Sequence, residues 1–134
     1  MTATNDLLAT LNAVHAYELA RFHYLDDKFM WNKVEHWEEP DQIPDEGPLI
    51  GDCDAFTLAC RKAVRKLGLP NRLVYCKVNS GGRWQHHLVL EVKGWILCNL
   101  QEAVVAQNSE ACANYHFEKI SGYEAGEPWL EIIG

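Results

Sequence analysis

The sequence has no excess of positive charge, no long apolar run and no Cys-x-x-Cys pair. Twelve basic residues stand against nineteen acidic residues in a chain of 134, which gives a net charge of −7 at pH 7. This balance argues against non-specific binding to nucleic acid or to an anionic membrane surface. The lack of an apolar run of about eighteen residues argues against a transmembrane helix. We therefore expect neither nucleic acid nor a membrane as a partner.

The sequence also shows no signal peptide, no internal repeat and no low-complexity segment. Its five cysteines are an odd number and show no disulfide framework, so we expect a reducing, cytoplasmic location. A mature chain whose leader had been removed would look the same. The length predicts a single domain over residues 1–134, and we expect a monomer.

One stretch, residues 50–70, carries the strongest local signals. Asp52 can cap a helix that begins at Cys53, and Gly68 and Pro70 can end it. Unpaired N–H groups and the positive end of the dipole at a helix start stabilise an anion and so lower a cysteine pKa. We therefore predict that Cys53 is a reactive thiol on a rigid helix. The apolar face of that helix consists of Phe56, Ala59, Cys60, Ala63, Val64 and Leu67.

The hydrophobic periodicity changes after this helix, from three-and-four spacing to alternation. Lys93-Gly94 is typical of a tight hairpin turn between two strands. The predicted elements are a helix over 5–29, strands over 73–78, 87–92, 95–100 and 115–120, and a short helix over 101–107. Helices followed by an antiparallel sheet predict an α+β fold.

The segment over residues 31–48 contains three prolines and two tryptophans, which predicts an ordered loop rather than a helix or a central strand. Trp31, Trp37 and Trp84 are candidates for the lining of a substrate groove. Their alternative role is as packing anchors.

A thiol nucleophile needs a base, and two adjacent histidines, His86 and His87, are the candidates. Only one of them can face a given side, because successive side chains of a strand point to opposite faces. If Lys93-Gly94 is the turn, His87 shares a face with the diagonally placed Cys98, and Asn99 lies on the other face. A slip of one residue would exchange Cys98 and Asn99.

Four segments in order resemble the bacterial transglutaminase-like cysteine proteinases, which belong to the papain-like and transglutaminase-like superfamily. In chain order, the segments are Glu35-His-Trp-Glu-Glu-Pro, Gly51-Asp-Cys-Asp with its helix, His87-Leu-Val-Leu-Glu-Val and Trp95-Ile-Leu-Cys-Asn-Leu. The resemblance covers residues 24–100, with a weaker echo to Trp129. It implies a nucleophile helix packed on an antiparallel sheet.

The resemblance also implies hydrolysis, or acyl transfer, at a peptide or amide bond, with Cys53 as nucleophile and His87 as general base. The third residue differs, because Cys98 stands where the family has an aspartate. A neutral thiol stabilises an imidazolium poorly, whereas Asn99 could replace the aspartate only if the register turned it towards His87. A catalytically degenerate binding or regulatory module is therefore the alternative. A bacterial or phage host is implied, and the expected partner is a protein or peptide substrate.

Two metal hypotheses remain, and no cofactor is required by either reading of the function. Some relatives bind calcium beside the nucleophile, where this chain has Asp52 and Asp54, although capping explains Asp52 equally well and calcium needs six to eight oxygens. Cys53, Cys98 and His87 could instead converge on zinc. A third reading is that Cys53 is a buried helix residue in an unrelated α+β domain.

Overall fold

Two α-helices pack with a mainly antiparallel sheet in the computed structural model, which describes residues 3–24, 46–51, 53–123 and 127–132. This arrangement confirms the predicted α+β fold. The elements in chain order are α1 (Ala3–Arg21), β1 (Phe22–Tyr24), β2 (Leu49–Gly51), α2 (Cys53–Lys66), β3 (Arg72–Ser80), β4 (Arg83–Val92), β5 (Trp95–Leu97), β6 (Val105–Ala106), a 3₁₀-helix (Glu110–Cys112), β7 (Tyr115–Ile120) and β8 (Leu130–Glu131).

The main sheet has six strands in the order β6-β5-β4-β3-β7-β8, and every neighbouring pair is antiparallel. Strands β3 and β4 are therefore central. Strands β1 and β2 form a separate parallel pair that brings the end of α1 beside the start of α2. Within the described ranges, no helix is long and apolar enough to cross a membrane.

Two tight turns set the register of the central strands. Lys93 and Gly94 have φ values of 51° and 89°, which confirms the predicted hairpin and pairs Val92 with Trp95. Gly81 and Gly82 form a second turn, with φ values of 61° and 82°. Because this turn uses only two residues, β3 and β4 are longer than the sequence pattern predicts.

Helix α2 begins at Cys53, as predicted, and ends in a Schellman motif. The Leu69 N–H donates to the Val64 carbonyl at 3.1 Å, and the Gly68 N–H donates to the Arg65 carbonyl at 3.0 Å. Gly68 has a φ of 75°, which only glycine adopts at little cost. Leu67, predicted to be buried, is 54% exposed because it lies beyond the last helical turn.

Three further elements differ from the prediction. Helix α1 ends at Arg21, because the next residues pair with β2, and residues 25–29 lie outside the described part of the chain. Residues 101–107 do not form a helix: Val105 and Ala106 pair with β5, and the Asn12 side chain accepts the Val104 N–H at 2.9 Å. Strand β5 ends at Leu97 rather than residue 100.

The two faces of the sheet bury two separate apolar clusters. The helix-side cluster comprises Leu11, Phe56, Leu58, Cys60, Val64, Leu73, Leu88, Leu90, Val92, Leu97 and Val104. The far-side cluster comprises Val74, Cys76, Val78, Val89, Ile96, Cys98, Cys112 and Tyr115. Alternation along β3 and β4 sends consecutive residues to different clusters, so a side chain's position in the strand determines its surroundings.

Candidate functional site

Cys53 occupies the first position of α2 and differs from the other cysteines in its exposure. Its side chain is half-buried against the helix-side cluster, whereas Cys60, Cys76, Cys98 and Cys112 are buried. The Cys53 thiol donates to the Asp54 carboxylate, with Sγ 3.5 Å from Oδ1. Cys53 is thus the most accessible thiol of the protein, at a helix start.

The residue two positions before this start, Gly51, must be small. A Cβ added to Gly51 would lie 2.7 Å from the Cβ of Ala55, closer than real Cβ contacts allow. Glycine at position 51 therefore lets the chain cross tightly over the first turn of α2. Asp52, the predicted cap and calcium ligand, lies outside the described residues.

Helix α2 runs alongside β4 in the same direction. Its last turn is joined to Arg72 by a short loop, and Arg72 pairs with Glu91 near the end of β4. Nearer its start, the Thr57 hydroxyl donates to the Leu88 carbonyl at 2.9 Å. Cys53 lies one helical turn before Thr57, at the end of α2 that is nearer the start of β4.

The two adjacent histidines of β4 lie on opposite faces of the sheet. His87 lies on the far side, directly opposite Cys76 in β3, and is 7% exposed. His86 lies on the helix side with Leu88 and is exposed. Its Nδ1 forms a hydrogen bond with the Tyr75 hydroxyl, and the two rings stack with centroids 5.6 Å apart. The structure therefore does not place His87 on the face that carries Cys53.

His87 contacts the thiol that replaces the family's aspartate. Its Nε2 lies 2.9 Å from Cys98 Sγ, so the contact predicted from the hairpin register is present. The Tyr115 hydroxyl lies 3.1 Å from the same sulfur, and the Leu100 N–H donates to it at 3.4 Å. Gln101 Nε2 donates to the Tyr115 oxygen at 3.3 Å. The sulfur thus sits among several hydrogen-bond donors.

Burial sets the charge state of this pair. Desolvation lowers the pKa of His87 from 6.5 to about 4. Desolvation raises the pKa of Cys98 to about 11, although the hydrogen bonds from Tyr115 and Leu100 partly oppose that rise. Both groups are therefore neutral at pH 7. An imidazolium at His87 would find no negative charge in Cys98.

Asn99 does not replace the missing carboxylate. Within the described part of the chain, Cys98 is the one residue that forms a hydrogen bond with the His87 ring. The Asn99 Oδ1 is buried and has no hydrogen-bond partner among the described residues. The register of β4 and β5 therefore places Cys98, and not Asn99, beside the His87 imidazole.

Two residues of this site carry no signal in the sequence. Tyr115 is one, and His15 of α1 is the other: its Nε2 donates to the Cys98 carbonyl at 2.9 Å. The His15 ring packs edge-on against Phe56, with centroids 5.5 Å apart, and it is 1% exposed. The sequence suggests only a surface or packing histidine at position 15, because the helical pattern does not reveal which distant carbonyl it meets.

The metal hypotheses find no support among the residues that the structure describes. No three side chains of His, Cys, Asp or Glu there form a group that could hold a metal, so Cys53, Cys98 and His87 do not form the predicted zinc group in the described structure. Asp54 Oδ1 accepts a hydrogen bond from the Cys53 thiol. The described residues do not form a calcium site either.

Of the three tryptophans predicted to line a substrate groove, the structure describes Trp84. Trp84 is 55% exposed on the helix side of β4 and packs edge-on against His116, with centroids 6.5 Å apart. Trp31 and Trp37, with the rest of residues 25–45, lie outside the described residues. The groove therefore stays a prediction.

Comparison with known proteins identifies the family. A family model described as bacterial transglutaminase-like cysteine proteinase matches residues 1–134, the whole chain. No curated protein and no solved structure matches the chain. The family match confirms the resemblance found in the four segments and rules out an unrelated α+β domain.

Proposed function

The chain belongs to the bacterial transglutaminase-like cysteine proteinase family, and we propose that it cleaves or transfers acyl groups at peptide bonds, with Cys53 as nucleophile. One observation carries this proposal. Of the five thiols, the half-buried one is the one at the start of α2, where partial positive charge stabilises a thiolate. A cysteine that serves only to fill the core would be buried, as the other four are.

The reaction follows from this placement. The Cys53 proton moves to an imidazole, and the thiolate sulfur attacks the carbonyl carbon of the substrate. The Cys53 backbone N–H, at the helix start, stabilises the resulting oxyanion. The imidazolium then protonates the departing amine, and water or an acceptor amine releases the acyl group from the thioester. We assign no cofactor to these steps.

The family resemblance assigns the imidazole to His87. With Nε2 engaged by Cys98, Nδ1 is the ring nitrogen that would accept the thiol proton. Cys98 and Tyr115 then orient the ring, as the aspartate does in the family. A neutral thiol holds the ring in place but adds no charge that would stabilise the imidazolium.

A catalytically degenerate binding or regulatory module is the second candidate. It is favoured by the placement of His87 on the far side of the sheet, bonded to Cys98 and not to Cys53. It is also favoured by the pKa of about 4, which makes His87 a weak base at neutral pH.

An electrophilic thiol probe and a general protein substrate test the two candidates together. We expect the probe to label Cys53 faster than the four buried cysteines, measured by peptide mass spectrometry at pH 7. We expect proteolysis of labelled casein by the wild type and none by Cys53→Ser, which also controls for contaminating proteases. Equal labelling of all cysteines contradicts the assignment of Cys53. Preferential labelling without proteolysis supports the degenerate module.

A further inference from the structure

We propose that Tyr115, directed by Gln101, is a positioning residue that sets the tautomer of His87 through Cys98. In the resting protein it holds the His87 proton on Nδ1, the ring nitrogen that would have to accept the Cys53 proton. This inference rests on the proposed function, from which it takes His87 as the base. Its evidence is a chain of hydrogen bonds that runs from Gln101 to the imidazole.

Gln101 fixes the direction of the first hydrogen bond in this chain. Its side-chain Nε2 lies 3.1 Å from the Ala111 carbonyl oxygen and 3.3 Å from the Tyr115 hydroxyl oxygen. Because a carbonyl oxygen only accepts, the amide nitrogen faces both groups, and its two N–H groups can donate one to each. The Tyr115 oxygen therefore accepts from Gln101, and its own O–H is left to donate to Cys98 Sγ, 3.1 Å away.

Two donors thus converge on the Cys98 sulfur. The Tyr115 O–H is one, and the Leu100 N–H at 3.4 Å is the other. Sulfur is a weak acceptor, so these two leave it little capacity for a third donor, whereas its own S–H still needs an acceptor. In the described part of the chain that acceptor is His87 Nε2, at 2.9 Å. The S–H therefore donates to Nε2, and the ring proton lies on Nδ1.

The opposite arrangement leaves a buried donor without an acceptor. If Nε2–H donated to the sulfur, the Cys98 S–H would turn to the Tyr115 oxygen, and the Tyr115 O–H would lose its acceptor among the described residues. Tyr115 is 9% exposed, so this loss costs free energy. His87 Nδ1 forms no hydrogen bond with a described residue in either arrangement, so the groups around the sulfur decide between them.

The contact sets the tautomer of His87 rather than its charge, because burial keeps both His87 and Cys98 neutral at pH 7. A carboxylate in the place of Cys98 could only accept, so it would put the ring proton on Nε2 and leave the Nδ1 lone pair free. A thiol that already accepts from two donors does the reverse. Selection of the wrong tautomer by the third residue of a triad costs about 10⁴ in rate, so we expect this network to slow turnover by up to that factor.

Nitrogen NMR of the isotope-labelled full chain reads the His87 tautomer at pH 7 without substrate. A ring nitrogen that carries a proton and one that carries a lone pair resonate at different frequencies, and His87→Gln identifies the His87 signals. Tyr115→Phe removes the O–H donor, whereas the carboxylate of Gln101→Glu can accept the Tyr115 O–H. Gln85→Glu is the matched control, because Gln85 is exposed on β4 and its variant adds the same charge outside the hydrogen-bond chain.

We expect the wild type to carry its His87 proton on Nδ1. Gln101→Glu should move the ratio of the two tautomers towards Nε2–H by about fivefold to tenfold, because the Tyr115 oxygen then turns to accept the Cys98 S–H. Tyr115→Phe should give a smaller shift in the same direction, and Gln85→Glu should give none.

A wild-type proton on Nε2 overturns the inference, as does an unchanged ratio in Gln101→Glu or an equal shift in Gln85→Glu. Slow labelling of Cys53 by the thiol probe would instead contradict the proposed nucleophile and leave the tautomer result standing.

Discussion

The helix side of the sheet carries a half-buried thiol, Cys53, and an exposed histidine, His86, whereas on the far side a buried thiol, Cys98, forms a hydrogen bond with a buried histidine, His87. Each side thus carries a cysteine and a histidine. Cys53 has a helix start and His86 has solvent to stabilise charge, and the far-side pair has neither. Hydrogen-bond distance alone therefore does not make a catalytic pair, because the 2.9 Å contact between His87 and Cys98 joins two groups that are neutral at pH 7.

Supplying the missing charge on the far side should have the largest effect. Cys98→Asp places a carboxylate beside His87 Nε2, which should raise the pKa of His87 by about 1–3 units. If His87 is the base, proteolysis should rise by up to about 10⁴-fold, the scale of the loss when a triad loses its carboxylate. Casein hydrolysis and NMR titration of the imidazole measure both effects.

Cys98→Ser is the matched control, because it changes the sulfur without adding charge. A rise in the His87 pKa without a rise in proteolysis would support the degenerate module. An equal gain from Cys98→Ser would contradict the electrostatic explanation.

Acid should destabilise the protein through the far-side pair. The pKa of His87 is lowered from 6.5 to about 4 in the folded state, so the unfolded chain binds more protons between these two values. Stability should therefore rise as the pH goes from about 4 to about 6.5 and be constant above, with up to about 3 kcal/mol lost at the acid end.

Urea unfolding at several pH values measures this dependence in the wild type and in His87→Gln. Only the difference between the two proteins isolates His87, because carboxylates also titrate in this range. Parallel stability curves would show that His87 titrates normally in the folded state.

Removing the hydrogen bond that His15 of α1 donates to the Cys98 carbonyl should have the smallest effect. His15→Leu removes one of the two donors to the Cys98 carbonyl, the other being the Gln101 N–H at 3.2 Å, which should cost about 0.5–1.5 kcal/mol of unfolding free energy. His15→Gln, which can present an amide N–H at a similar position, should recover part of that loss. The His87 imidazole resonances should shift in His15→Leu, while the rate of Cys53 alkylation should not change.

An unchanged urea midpoint in His15→Leu would show that the bond contributes nothing to stability. A faster alkylation of Cys53 in that variant would show that the two faces of the sheet are coupled.

Much of the fold could be predicted from local patterns. The start of α2 at Cys53, its end before Gly68, the Lys93-Gly94 turn and strand β7 all follow from capping, turn chemistry and alternation. The helix predicted over residues 101–107 is wrong, because strand pairing with β5 and the hydrogen bond from the Val104 N–H to Asn12 Oδ1 outweigh the local preference for a helix. Such pairings join residues that are distant in the chain, so no local pattern contains them.

The sequence by itself determined a helix that begins at a cysteine, a hairpin that brings His87 to Cys98, and the four segments that identify the family. Each depends on residues close in the chain, where backbone geometry leaves few choices. Only the tertiary structure decided which histidine shares a face with Cys53, because that depends on how α2 lies across β4. It also decided the charge of His87 and Cys98, since burial is a property of the packed protein and not of any segment.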